Sequence, residues 1–257
     1  MRWLSVKVTN HCPHECSYCV SGSNAEHPRW GVEFVEEEVL TQAAQVDAVE
    51  ITGGEPLREA LLAELLYKLH RDHAVRINLL TAGSRNRHDR RALQELRVGD
   101  HVHFTHHISE RDNEQEIRAC LYDLPSGVDA TVKVLGLDEE SVRGAMQRWT
   151  DVRVMPALVG QYPRPLNLPW PDDYPRWLSL RVRFDDGSEE VVPPARAIHD
   201  GFTRVNGWKC SAGTVINEWG MRMSTWCNSR QLGRCQARFC DCGSDLLLGV
   251  KVSGLAS

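Results

Sequence analysis

The chain has 257 residues, 42% hydrophobic and 25% charged, with 30 Lys and Arg against 35 Asp and Glu for a net charge of −5. At roughly 150 residues per domain this is one large domain or one domain with an appendage, and the apolar content excludes wholesale disorder. The acidic balance excludes a strongly basic nucleic-acid footprint; no stretch approaches the ~20 apolar residues of a membrane span, and Met1 to Val6 has no signal-peptide core, so a cytoplasmic protein without membrane or nucleic-acid partners is expected.

Trp3 to Thr9 alternates and is rich in β-branched residues, which predicts a strand. A cysteine-rich loop follows, then a helix with an acidic start over Val32 to Gln45 and a short strand over Ala48 to Thr52, ending at Gly53-Gly54. Leu57 to His70 is a helix, with Leu61, Leu62, Leu65, Leu66 and Leu69 on one broad face. Strands are predicted over Val75 to Thr81, His101 to Thr105, Asp129 to Leu135 and Val152 to Met155. Helices lie between them over Asp89 to Leu96, Glu114 to Leu124 and Asp138 to Trp149, with Asp138 as N-cap. Six rounds of strand–helix alternation imply a parallel sheet with crossover helices. Six units suit an open, partial (β/α)6 TIM-like barrel better than a closed eight-unit one, with a doubly wound sheet as the alternative.

The pattern then breaks, because six of the 12 prolines lie between Pro156 and Pro175. Proline at that density excludes helix and central strand. The expected division is a barrel over 1–157, a proline-rich linker over 158–177 and a small β-rich module over 178–257. In that module Leu178 to Phe184 and Glu189 to Val192 flank Asp185-Asp186-Gly187-Ser188 as one hairpin, and Thr214 to Asn217 with Met221 to Thr225 form a second.

The nine cysteines stand at 12, 16, 19, 120, 210, 227, 235, 240 and 242. In a reducing compartment an odd count with eight members in two clusters reads as metal or iron–sulfur ligation rather than disulfides. Cys120, on an amphipathic helix, reads as a buried small apolar residue. Cys12, Cys16 and Cys19 have the spacing Cys-x3-Cys-x2-Cys on one loop. Three such thiolates can hold three irons of a cubane and leave the fourth open, or form a structural zinc knuckle with His11 or His14. The next strand ends in Gly53-Gly54-Glu55-Pro56. Ligands bind beyond the carboxyl ends of parallel strands, and paired glycines allow close backbone approach. Gly53-Gly54 alone reads first as a tight strand-to-helix turn.

Together the cysteine triplet, Tyr18 just before its last member and Gly53-Gly54-Glu55-Pro56 after the second strand resemble the radical S-adenosylmethionine (radical SAM) superfamily over residues 1 to about 157. The resemblance implies a [4Fe–4S] cluster on Cys12, Cys16 and Cys19, whose open iron chelates the methionyl amino and carboxylate groups of S-adenosylmethionine. It also implies that Gly53, Gly54 and Glu55 bind the amino group. Thr81-Ala82-Gly83 resembles that superfamily's Thr-Asn-Gly with Asn replaced by Ala. Thr105-His106-His107 stands where many relatives carry Ser-Leu-Asp, and two histidines there are a departure. Thr81 and Thr105 are thus candidate cofactor contacts, and Lys133 on the fifth strand is a candidate partner for the methionyl carboxylate. His103 and His107 share one parity on the fourth strand and are candidate catalytic groups facing the barrel interior; ordinary hydrogen-bonded histidines are the other reading.

Cys210 and Cys227 flank the second hairpin, and Cys235, Cys240 and Cys242 follow. This resembles the auxiliary-cluster modules called SPASM and Twitch. Five cysteines in place of seven suggest the shorter Twitch form, holding one auxiliary [4Fe–4S] cluster; which of the last three complete it stays open, as does a structural zinc site. The superfamily resemblance implies that a reduced cluster cleaves S-adenosylmethionine to a 5′-deoxyadenosyl radical, which abstracts hydrogen from substrate. It also implies a flavodoxin- or ferredoxin-type electron donor. An auxiliary cluster suits oxidation, by dehydrogenation or crosslinking, of a peptide or of a small polar metabolite. The first strand begins close to Met1, so a leader-peptide-binding extension is not expected and a separate leader-peptide-binding protein would fill that role. The alternatives are a non-redox rearrangement or epimerisation, or a non-enzymatic iron–sulfur or zinc module.

Overall fold

The computed structural model describes residues 3–14, 16–17, 31–109, 111–158, 168, 173, 180–183, 188–192, 209–210, 214–216, 222–223 and 250–252. Six strands carry the fold: β1 (Trp3–Lys7), β2 (Ala48–Thr52), β3 (Arg76–Thr81), β4 (His101–His107), β5 (Asp129–Gly136) and β6 (Arg153–Leu158). They hydrogen-bond in chain order and every pair is parallel. Helices α1 (Glu36–Ala43), α2 (Leu62–Asp72), α3 (Glu114–Asp123) and α4 (Glu139–Met146) form crossovers, with a 3-10 segment over Asp89–Glu95 between β3 and β4. A doubly wound sheet reverses its strand order at a switch point. The unbroken order here puts every crossover on one face, as in a partial TIM-like barrel.

That face is the core. Leu4, Val6, Val49, Ile51, Ile77, Leu79, Val102, Phe104, Val132 and Val134 alternate along the strands and pack against Val39, the leucines of α2, Leu93, Ile117, Cys120, Val142 and Ala145. Leu62, Leu65, Leu66 and Leu69 are buried as their spacing predicts, whereas Leu61 is 41% exposed because it precedes the helix. Asp138 caps α4 as expected, accepting from the Ser141 amide at 2.8 Å. Cys120 is fully buried, and burial pushes its thiol up to about 12.

The opposite strand face is polar and equally buried. Ser5, Glu50, Asn78, His101 and Thr131 are each at most 2% exposed. Ser5 Oγ donates to Glu50 Oε1 at 3.0 Å and Asn78 Nδ2 donates to Glu50 Oε2 at 3.1 Å. Asn78 Oδ1 meets His101 Nδ1 at 3.1 Å, and His101 Nε2 meets the Thr131 hydroxyl at 3.0 Å. Arg153 reaches Thr131 Oγ1 at 3.5 Å and pairs with Asp173 at 2.9 Å. One hydrogen-bonded belt thus crosses all six strands, below the strand ends that carry the site.

Four predicted helices are shorter or tighter than expected; the one predicted over Asp138 to Trp149 ends at Met146. Val32 to Gln45 divides into a 3-10 turn over Val32–Phe34 and α1. Leu57 to His70 divides into a 3-10 turn over Pro56–Arg58 and α2, because the Glu55 side chain caps the first turn through the Leu57 amide and Glu59 is extended (φ −84, ψ 115). Asp89–Glu95 is 3-10 throughout; Asp89 accepts from Ser84 and Asn86, which ties the segment to the loop before it. β6 runs on past the predicted end at Met155 and contains Pro156, opposite Val134, where the proline density excludes helix and central strand. Among the described residues β6 pairs only with β5, and an edge strand tolerates the missing N–H.

Further along, β7 (Leu180–Arg183) and β8 (Glu189–Val192) pair antiparallel where the first hairpin is predicted. After β9 (Lys209–Cys210), β10 (Thr214–Ile216) and β11 (Arg222–Met223) pair antiparallel where the second is predicted, and β10 also runs parallel beside β1. β12 (Val250–Val252) lies between β7 and β9. Among the described residues no helix is long and apolar enough to cross a membrane.

Candidate active site

The carboxyl ends of β1 to β5 gather the residues singled out in the sequence. Beyond β1 the chain runs through Val8, Thr9 and Asn10, all buried, into the loop that carries Cys12 and Cys16, both half-buried. Cys19 and Tyr18 lie outside the described residues. The turn after β2 is built against this loop. The Gly54 amide donates to the Thr9 carbonyl and the Glu55 amide to the His11 carbonyl, both at 2.8 Å. A Cβ on Gly54 would run into the His11 carbonyl, with its carbon only 2.5 Å away and the Cys12 amide nitrogen at 3.0 Å. Gly53 has a positive φ of 147°, and a Cβ there would lie 2.5 Å from the Thr9 oxygen. The sequence offered the paired glycines to a ligand or to a tight turn; in the structure they admit the backbone of the cysteine loop.

Glu55 is 1% exposed. Its Oε1 accepts from the Leu57 amide at 3.0 Å and the Thr81 hydroxyl at 2.5 Å, and its Oε2 accepts from the Ala82 amide at 2.8 Å. One carboxyl group therefore joins the ends of β2 and β3. Burial raises it to about 7 against the pull of those hydrogen bonds and of Arg58. A carboxylate offers about four lone-pair sites, so three donors leave one site for a further donor. A cationic donor there would hold the group ionised where burial alone favours the acid.

Thr81 turns its hydroxyl to Glu55 and also accepts from the Gly83 amide at 2.9 Å. Thr105 and Lys133 are register partners on β4 and β5, both half-buried. His101, His103, Thr105 and His107 share the belt side of β4, opposite the core residues Val102 and Phe104. His103 is buried, its ring 4.5 Å from that of His101. His107 is half-buried, and burial, then the Lys133 charge, hold it down at about 4, so it is neutral at pH 7. His106 faces the other way. The Trp149 indole donates to its Nδ1 at 3.1 Å and its Nε2 meets Asp112 at 2.8 Å. Asp112 and Glu114 lie close enough to share a cation with His106, but Arg148 pairs with both carboxylates at 2.9 and 2.8 Å and occupies that role. Of the later cysteines, Cys210 falls on β9, while Cys227, Cys235, Cys240 and Cys242 lie outside the described residues.

Sequence reasoning missed the residues that hold these ends together. Thr9 donates to Glu59 Oε1 at 2.7 Å and accepts from the His11 amide at 3.0 Å, fixing the entry to the cysteine loop. Asn113, 1% exposed, donates to the carbonyls of Ala82 at 2.6 Å and Thr105 at 2.9 Å and accepts from the His107 amide at 2.8 Å. An Asn just before an acidic helix start is a readable N-cap signal. Here the side chain ties β3 to β4 instead of capping α3.

Glu55→Gln tests the joint. An amide offers one acceptor oxygen, so either Ala82 or Leu57 would present its N–H to an NH2 group. If Glu55 takes the ammonium group of S-adenosylmethionine, as the sequence resemblance implies, affinity for that molecule should fall roughly 10- to 150-fold, the equivalent of losing a charge-assisted hydrogen bond of ~1.5–3 kcal/mol. In cofactor-free protein the sign of the pH effect is fixed. A carboxyl group raised on folding holds its proton more tightly in the native state, so its contribution is full below about 4.5 and lost as pH rises through about 7. Wild-type protein should therefore lose stability relative to Glu55→Gln between those limits, measured by urea unfolding at each pH. A constant difference would show that Glu55 is not perturbed, and unchanged affinity would show that it does not meet the cofactor. Residues 6–124, from within β1 to the end of the α3 unit, match the family model of the Radical SAM superfamily, and it is to that family's domain that this stretch of the chain is similar.

Proposed function

We propose that the protein generates a 5′-deoxyadenosyl radical from S-adenosylmethionine and uses it for oxidative modification, by dehydrogenation or crosslinking, of a peptide or a small polar metabolite. The observation that carries this reading is the joint between the Gly53-Gly54-Glu55 turn and the cysteine loop, within a stretch that matches the Radical SAM superfamily. In this reading Cys12, Cys16 and Cys19 hold a [4Fe–4S] cluster, Glu55 takes the methionyl ammonium on its remaining lone pair and Lys133 takes the methionyl carboxylate. When bound, the cluster and S-adenosylmethionine supply the radical. The chain's own residues orient and exclude: Thr81 and the Ala82 amide fix the Glu55 carboxylate, and Asn113 holds the ends of β3 and β4 in place. His103 and His107 line the side that the substrate would face, His107 as a neutral hydrogen-bonding group. Cys210 and Cys227, with members of Cys235, Cys240 and Cys242, would hold one auxiliary [4Fe–4S] cluster, which would supply an electron acceptor for an oxidation. A flavodoxin- or ferredoxin-type protein supplies the first electron, and a separate leader-binding protein would present a peptide substrate.

Anaerobic reconstitution should give about eight irons per chain, two cubanes, with dithionite-dependent formation of 5′-deoxyadenosine. The triple Cys12, Cys16 and Cys19→Ala variant should keep about four irons and form no 5′-deoxyadenosine. Zinc at the second site with about four irons in wild-type protein would remove the auxiliary cluster from this reading. Wild-type protein with full iron but no cleavage would remove the enzymatic reading altogether.

A further inference from the structure

His14 lies two residues from Cys12 and two from Cys16, and its ring is buried. Arg111, from the loop after β4, donates Nη1–H to His14 Nδ1. A guanidinium has donors only, so Nδ1 must offer its lone pair and the ring proton of the neutral imidazole sits on Nε2. Arg111 is itself fixed: its Nη2 donates to Glu116 Oε1 at 2.6 Å, and Arg85 reaches the same oxygen at 3.2 Å. Glu116 is buried in the first turn of α3. A chain from two other strand ends thus sets the tautomer of one histidine in the cysteine loop. The Nε2–H it creates is buried and has no hydrogen-bond partner among the described residues. A buried donor without an acceptor is costly, and a ligand that answers it is one of the few reasons for a native chain to keep one.

We propose that His14 Nε2–H donates a hydrogen bond to a sulfur of the iron–sulfur cluster on the cysteine loop, with Arg111 as the positioning residue that holds the donating tautomer. The inference rests on the cluster reading of Cys12, Cys16 and Cys19. Hydrogen bonds to cluster sulfurs help set the reduction potential, because they stabilise the more negative reduced state. His14 thereby makes this cluster easier to reduce.

The test is the midpoint potential of the cluster in full-length, reconstituted protein, followed by EPR without S-adenosylmethionine. The relevant signal is the one absent from the triple Cys12, Cys16 and Cys19→Ala variant. His14→Phe should shift that potential to more negative values at unchanged iron content. Arg111→Met should shift it the same way by less, and His14→Gln, which keeps an N–H, should restore part of it. In wild-type protein labelled with 15N-histidine, pulsed EPR should show a weak imidazole coupling to the reduced cluster. That measurement needs no variant to fold. An unchanged potential in His14→Phe, or no such coupling in wild type, overturns the inference. A shift confined to samples with S-adenosylmethionine also overturns it and assigns the donor to that molecule's carboxylate. Wild-type protein that assembles no cluster on these cysteines would instead overturn the reading beneath it.

Discussion

Replacing Gly54 by alanine is expected to remove both the iron and much of the local stability. The added methyl would meet backbone, not a side chain that can swing away: the His11 carbonyl and the Cys12 amide. Relief requires the cysteine loop to lift off the turn, which breaks the Gly54-to-Thr9 and Glu55-to-His11 hydrogen bonds. Two buried donors left unmade cost about 1–3 kcal/mol each, so a loss on the order of 4 kcal/mol is expected. Domains of this kind hold about 5–15 kcal/mol in total. Urea unfolding and iron content measure the two consequences. Gly99→Ala is the control: its φ is +95°, but a Cβ there meets nothing within 4 Å, so only backbone strain of about 1–2 kcal/mol is expected and iron should be retained. Gly54→Ala with wild-type iron and stability would show that the turn does not shape the loop.

This expectation separates what was legible in the sequence from what was not. The alternation of strands and helices, the leucine face of α2 and the cap at Asp138 were readable because each depends on neighbours in the chain. The order β1 to β6 followed from six successive units. The grouping of Cys12, Gly53-Gly54 and Glu55 was readable because all follow strand ends. What those glycines admit was not, since the approach of the cysteine loop is a tertiary contact across more than 40 positions. The same holds for Glu55, whose partners Thr81 and Ala82 stand 26 and 27 positions away. Helical patterning also gives no warning of a 3-10 turn when a capping carboxylate and a proline open the segment, as Glu55 and Pro56 do. Strand parity already set His107 apart from His106 in the sequence, on the side of His103; what His106 is for shows only in the packing of Trp149, beyond the end of α4, whose indole donates to its ring.

The buried belt was hidden for a related reason. Ser5, Glu50, Asn78, His101, Thr131 and Arg153 sit at alternate positions in strands, and a polar residue at every second place reads as a solvated face. Here that face is closed off, so each polar group must find a partner within it. The donor order is then determined. Asn78 spends Nδ2 on Glu50, so its oxygen takes His101 Nδ1–H, and His101 Nε2 accepts from Thr131. Burial, with His103 and Arg153 close by, holds the His101 ring well below the usual histidine range, which keeps it neutral in this role. His101→Leu should therefore strand the Asn78 oxygen and the Thr131 hydroxyl, at about 1–3 kcal/mol each. A total loss of about 2–5 kcal/mol in urea unfolding is expected, with the m-value unchanged. His101→Leu combined with Asn78→Leu should cost less than the sum of the two single changes, because the second removes a group the first has already orphaned. Since the belt lies below the strand ends, the folded fraction of His101→Leu should keep its iron and its cleavage of S-adenosylmethionine. Strict additivity in the cycle would mean that the belt is a row of independent contacts. Loss of iron from folded His101→Leu would mean that the belt reaches the site after all.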